Sequence, residues 1–294
     1  MNMNQLYFSL LACFFLSFFS YSQEKNEVSP TILWEIKGKK VKSPSYLFGT
    51  IHMISKDKFY FPEEIQDKIK AADLIVMEIG GIAEQMKSID LLLLHEGTLF
   101  EHFSDSQLDS LLLFLEQELG LKQDQVKLMF NKMKPMALMQ LFSQAYFEDQ
   151  PMSYELVIEQ LANKNNIQIR GLETVEEQLA IFDAIPMQEQ IKLIMESVND
   201  FEQHKNQFKE MEAAYISQNL DSIEVVIQSE ENKSLMEYED QLLNERNKNW
   251  IPEIKKMIKK NKTFIAVGAG HLIGDNGLVK LLIDEGYELV PIQF

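Results

Sequence analysis

The sequence predicts an α/β fold of the mixed α+β kind, a central sheet built from both ends of the chain with a mostly helical subdomain inserted between them. Short apolar runs rich in β-branched and aromatic residues, most of them closed by glycine, lie before residue 84 and after residue 260. The stretch between, roughly 84–260, carries its apolar residues at helical spacing. With 294 residues, 46% hydrophobic and 25% charged, the chain is long enough to bury a large core, and residues 23–294 are expected to form a single domain.

Taken in order, Thr31–Ile36 and Ser45–Phe48 read as a hairpin about a Gly38-Lys39-Lys40 turn. Pro62–Ala72 reads as a helix opened by proline, and Asp73–Glu78 as a buried strand ended by Gly80-Gly81. Leu108, Leu111, Leu112 and Leu115 mark one helix face. Leu138, Leu141, Phe142 and Ala145 mark another, behind Pro135. The many methionines of this region suit adaptable core packing. One strand, Ile167–Arg170, interrupts the helices and is closed by Gly171. Thr174 then fits an N-cap with Glu177 as its capping-box partner. Ile254–Lys260 closes a helix, Thr263–Val267 is a buried strand, and Gly268–Gly270 is a glycine-rich turn. Gly277–Asp284 begins a last helix, and Glu288–Ile292 is a last strand.

The amino terminus differs in character. Leu6–Phe19 is apolar, no charge appears before Glu24, and Ser20-Tyr21-Ser22 offers small residues for cleavage before Gln23. The apolar run is short for a membrane span. Residues 1–22 are therefore read as a signal peptide and 23–30 as a polar lead, which makes the protein exported, periplasmic or secreted, with no stable membrane span after processing. Leu10-Leu11-Ala12-Cys13 loosely resembles a lipoprotein box, but apolar residues continue to Phe19, which suits the core of a signal peptide better. Cys13 is the only cysteine, so a processed chain has no disulfide, no thiol nucleophile and no thiolate metal site. The formal net charge of −17 argues against nucleic acid as a partner, because phosphate binding needs a basic face. A peptide or small-molecule substrate is the expected partner.

The chemistry-bearing pattern is a pair of Gly-x-x-His turns, Gly49–His52 and Gly268–His271, each just beyond an apolar strand. Among 12 glycines and 5 histidines, chance supplies fewer than one such spacing, and the shared strand context adds specificity. Open α/β sheets place ligands at the carboxyl ends of their strands, so two strands of one sheet can aim both imidazoles into one crevice. Glu78 leaves its strand at a similar place, where a carboxylate is costly unless paired or bound to a metal. Two His and one Glu suit Zn, Mn, Co or Fe with positions left for water and substrate, which is hydrolytic chemistry. The plainer alternative is that His52 and His271 are strand-end residues that hydrogen-bond two loops together. Phosphate loops, Gly-x-Ser-x-Gly elbows and His-Glu-x-x-His helices are absent.

These residues carry a resemblance. The two Gly-x-x-His motifs, Val76-Met77-Glu78, Gly171-Leu172-Glu173-Thr174, Glu245-Arg246-Asn247, and the run from Val267 to Gly274 followed by Gly277-Leu278 resemble the TraB/GumN family, over about Leu33 to Pro291. That family includes pheromone-shutdown proteins and Tiki-type Wnt-inactivating proteases. The resemblance implies a divalent-metal-dependent peptidase, with Mn or Co favoured in the Tiki branch and Zn an alternative. His52, His271 and Glu78 would be metal ligands, with Glu78 and Arg246 also catalytic. Arg246 would hold Glu78 or Glu173, a substrate carboxylate or a developing oxyanion. Its plainer role is a surface ion pair with Glu245 or Asp240. Glu173 is a candidate general base, or simply a helix N-terminal charge. A protein that binds and sequesters a peptide or small ligand in the same cleft without turnover is the alternative function. His95, His102 and His204 are expected on the surface.

Overall fold

The computed structural model describes residues 31–294 apart from 39, 43, 82–83, 85 and 87–88. The segments read as a signal peptide and a polar lead, with Cys13, and Lys39 of the hairpin turn lie outside the described residues. The fold is a mixed α/β architecture around one six-stranded sheet, with strands β1 (Leu33–Lys37), β2 (Ser45–Thr50), β3 (Leu74–Met77), β4 (Gln168–Gly171), β5 (Thr263–Gly268) and β6 (Glu288–Ile292) in the order β4-β3-β5-β2-β1-β6.

The hairpin forms as expected, with Leu33 opposite Phe48, and β6 returns antiparallel to β1, with Leu33 opposite Ile292. The interior of the sheet is parallel: β2 pairs β5, β5 pairs β3, and β3 pairs β4. Every residue of β3 and Thr263–Val267 of β5 are buried, which is why both read as unbroken apolar runs rather than alternating ones. Parallel pairing has one consequence for function. Thr50 stands beside Gly268, and Met77 beside both Ala266 and Gly171, so four strands end along one edge.

The sheet is not drawn from the chain ends alone. Its edge strand β4 comes from the middle of the chain, where the pattern of exposed and half-buried residues is that of a border strand. The helix Glu245–Lys260, at the close of the expected helical insertion, places Trp250, Ile251, Ile254 and Ile258 in the core of the sheet. A separate apolar cluster is formed by Leu99, Leu111, Leu115, Val126, Leu138, Phe142, Ile191, Ile194 and Phe201, among others. Both helix faces read from sequence lie within it. Leu111, Leu112 and Leu115 are buried on helix Asp105–Leu119, and Leu138 and Phe142 on Pro135–Phe142. Ala145 has passed into a following 3₁₀ turn, Ser143–Tyr146. The Thr174–Glu177 capping box forms in full at the head of helix Val175–Asp183. No helix among the described residues is long and apolar enough to cross a membrane.

Candidate functional site

The sheet edge where the parallel strands end gathers the residues singled out in the sequence. His52 follows β2 by two residues, Glu78 follows β3 directly, Glu173 lies two residues past β4, and His271 lies in the 3₁₀ turn Ala269–Leu272 beyond β5. Gly268 sits at their centre. A Cβ built on it would lie 3.3 Å from Glu78 Oε1, 3.7 Å from His271 Cδ2 and 3.8 Å from His52 Nε2. Histidines more than two hundred residues apart in the chain therefore flank one carboxylate.

The motif glycines serve close approach rather than a turn of unusual handedness. Gly268 has φ −51° and ψ 136°, which any residue adopts. A Cβ on Gly49 would stand 3.1 Å from Ala269 Cα and 3.2 Å from Leu272 Cδ2. A side chain on Gly49 would press into the other motif's turn, and one on Gly268 would press against Glu78 between the two imidazoles.

Arg246 binds the acidic groups together. Its Nη2 donates to Glu78 Oε2 at 2.6 Å and to Glu173 Oε1 at 2.6 Å, while Nε donates to Glu173 Oε2 at 3.1 Å. Its Nη1 donates to the Leu242 carbonyl at 2.8 Å, inside the π-helical turn Asp240–Asn244 that leads into Glu245–Lys260. Such a wide turn re-aims the residues that follow it. The guanidinium also lies 4.8 Å from the Trp250 ring centre. Arg246 is therefore an inward residue of the site and not the surface partner of Glu245 or Asp240. Glu173 accepts in addition from Trp250 Nε1 at 3.2 Å and Gln178 Nε2 at 3.1 Å. With both oxygens engaged, it acts here to hold the guanidinium.

The two imidazoles sit in opposite environments. His271 has a side chain only 4% exposed, against 72% for His52. Asn247 donates its amide N–H to the carbonyls of His271 at 3.2 Å and Asn276 at 2.9 Å, so its Oδ1 is the atom left to accept from His271 Nδ1 at 2.7 Å. That places the ring proton on Nδ1 and a lone pair on Nε2, where Arg246 Nη1 donates at 3.1 Å. Burial, opposed by the Glu78 charge, lowers the His271 pKa to about 3, so the ring is neutral at physiological pH. Burial alone would raise Glu78. The charges of its His and Arg neighbours and the Gly268 N–H, 2.8 Å from Oε1, outweigh it and lower its pKa to about 2. Because His271 is neutral there, the Arg246 charge and the Gly268 N–H carry that effect at neutral pH. His52 Nδ1 meets Glu155 Oε1 at 3.2 Å, and this hydrogen bond raises the His52 pKa, with solvent screening part of the effect at so open a ring.

A family model for the TraB/PrgY/gumN family matches residues 32–291. The chain belongs to this family. No curated protein and no solved structure matches it.

In this TraB/PrgY/gumN member, all five site residues read from the sequence (His52, Glu78, Glu173, Arg246 and His271) come together. The donor set also fits a divalent cation chemically: each ring has one nitrogen tied to an oxygen partner, and Glu78 is an anion beside them. Among the described residues no three such groups are drawn in to metal-holding distance. Sequence reasoning missed Glu155, Gln178 and Trp250. All three sit on helices, where a Glu, a Gln or a Trp carries no motif of its own. Of the other histidines, His95 is exposed. His204 departs from the surface position expected for it. It is half-buried, lines a cavity of about 290 Å³ with Tyr146, Phe208 and Met211, and its Nδ1 has no hydrogen-bond partner among the described residues. Helix Phe201–Ile216 turns that residue toward Leu193 and Ser197 of the neighbouring helix Met187–Asn199 instead of solvent.

Proposed function

We propose that this protein is an exported metal-dependent hydrolase, acting on peptide amide bonds, whose centre is the sheet edge around Gly268. The observation that carries the reading is the convergence of His52 Nε2, the His271 ring and Glu78 Oε1 on one small volume. His52, His271 and Glu78 would hold the divalent cation, with Mn, Co and Zn as the candidates. The cation would supply Lewis acidity toward a carbonyl and activation of water.

The chain's own groups have separable roles. Glu78, anionic down to low pH, is suited to hold positive charge and poorly suited to take a proton. Arg246 stays cationic and, fixed on Glu173, presents N–H donors beside the ligands, where charge developing on a substrate oxygen would be met by preorganised donors. The exposure of His52 leaves one side of the centre open to an extended chain.

One observation favours the second reading, a non-catalytic binder of peptide or small ligand. The lone pair of His271 Nε2 already accepts from Arg246 at 3.1 Å, so a cation must displace that contact. Metal analysis with peptide and ester cleavage assays separates the two. The hydrolase reading expects a stoichiometric transition metal, and amide cleavage lost in His52→Ala and His271→Ala. Peptide bound without turnover at any of the three metals would establish the binder instead, and cleavage of esters alone would move the target bond.

A further inference from the structure

Glu155 belongs to none of the motifs, yet it is the group that orients His52. It lies in the first turn of helix Tyr154–Lys164, and three side chains converge on its carboxylate. Oε1 accepts from Thr50 Oγ1 at 2.7 Å and faces His52 Nδ1 at 3.2 Å, while Oε2 accepts from Ser153 Oγ at 2.9 Å. Thr50 ends β2 and is buried, so the carboxylate is fixed to the same strand that delivers His52. The loop between them is fixed independently. Ile54 and Met152 exchange backbone hydrogen bonds at 3.0 and 2.9 Å, which joins the loop after His52 to the segment before Tyr154.

A carboxylate can only accept, so the ring atom facing it must carry the proton. We propose that Glu155 is a positioning residue, which holds the neutral His52 ring in the Nδ1–H form with Nε2 unprotonated and turned toward Gly268 and Glu78. A free imidazole side chain favours the opposite tautomer, with the proton on Nε2, where it would block any ligand bond. The nitrogen presented to a metal or substrate is set by the hydrogen bond that the other nitrogen makes. His271 has a neutral amide oxygen in the corresponding place, from Asn247. The exposed ring has the charged partner and the buried ring the uncharged one. This is the economical arrangement, because a third buried carboxylate beside Glu78 and Glu173 would itself need compensation. The proposal deepens the metal-site reading and rests on it for the ligand role of His52.

The test uses purified wild type, Glu155→Ala and Glu155→Gln, each checked for an unchanged thermal unfolding profile. Nitrogen-15 spectra of the His52 ring in metal-free protein, at a pH where the ring is neutral, report the tautomer directly. Calorimetric titration with Mn²⁺ reports affinity. Wild type is expected in the Nδ1–H form, and Glu155→Ala should revert toward Nε2–H and bind Mn²⁺ about 10- to 100-fold more weakly. Glu155→Gln keeps an acceptor for Nδ1–H and should keep the tautomer, which also decides the matter if Glu155→Ala does not fold. A wild-type ring in the Nε2–H form, an unchanged tautomer in Glu155→Ala, or Nε2–H in Glu155→Gln overturns the assignment. Wild type that takes up no Mn²⁺, Co²⁺ or Zn²⁺ defeats the metal reading, and the ring spectra then judge Glu155 alone.

Discussion

Arg246 is the residue whose removal the site should tolerate least. It is the cation between Glu78 and Glu173, and all three side chains are largely withdrawn from solvent. Breaking such a pair from one side leaves buried charge unpaired, so Arg246→Ala should lower unfolding stability by about 3 kcal/mol in urea titrations. Arg246→Lys should recover only part, because one ammonium cannot reproduce the two-pronged grip on Glu173. A loss close to zero for the alanine variant would mean that the acid pair is solvated after all. At this scale the chemistry was legible where residue type and local context coincide. His52 and His271 stand behind glycines, and Glu78 and Glu173 stand at strand ends. Glu155 was not legible, since an acidic residue in the first turn of a helix is ordinary and its partner lies 103 positions away.

At the scale of elements, the two Gly-x-x-His turns look alike in sequence but differ in what crowds them. A Cβ on Gly49 would stand 3.1 Å from the Ala269 backbone, which moves only with β5 and its turn. A Cβ on Gly268 would meet side chains, the nearest being Glu78 Oε1 at 3.3 Å. Gly49→Ala should therefore cost about 1–3 kcal/mol of stability. Gly268→Ala should spare most of the stability while weakening Mn²⁺ binding, because its methyl enters the space between the ligands. Melting curves and metal titrations on both variants check this, and equal stability losses would refute the distinction. The strands before these turns were readable because buried parallel strands are unbroken apolar runs. The place of β4 was less readable. Its residues read as a strand, but nothing in so short a segment names its neighbour, and only pairing with β3 assigns it to the sheet edge.

Across the whole molecule, the site depends on distant segments holding one loop. Glu212 on helix Phe201–Ile216 is 1% exposed and accepts from Ser55 N and Lys58 Nζ, each at 2.6 Å, a few residues beyond His52. Burial would raise its pKa, but Lys58 and Ser55 outweigh this and lower it. A depressed carboxylate stabilises the fold above its unfolded pKa, about 4.3, and loses that contribution as pH falls through the lower folded value. Glu212→Gln should thus cost about 2 kcal/mol at neutral pH, and the gap from wild type should close as unfolding is measured below about pH 4. A gap independent of pH would remove the ionised pair from the account. Mixed α/β architecture and the sheet drawn largely from the two ends were legible in sequence, because element type follows local periodicity. The lining up of four strand ends at one edge was not, because register between parallel strands is written in long-range packing and not in any single segment. That edge is the centre of the functional reading. Its most direct test is anomalous diffraction from crystals grown with Mn²⁺: a single strong peak is expected beside Gly268, ligated by His52 Nε2, His271 Nε2 and Glu78. Imidazoles that face apart, or a peak bound elsewhere with this edge holding none, would contradict it.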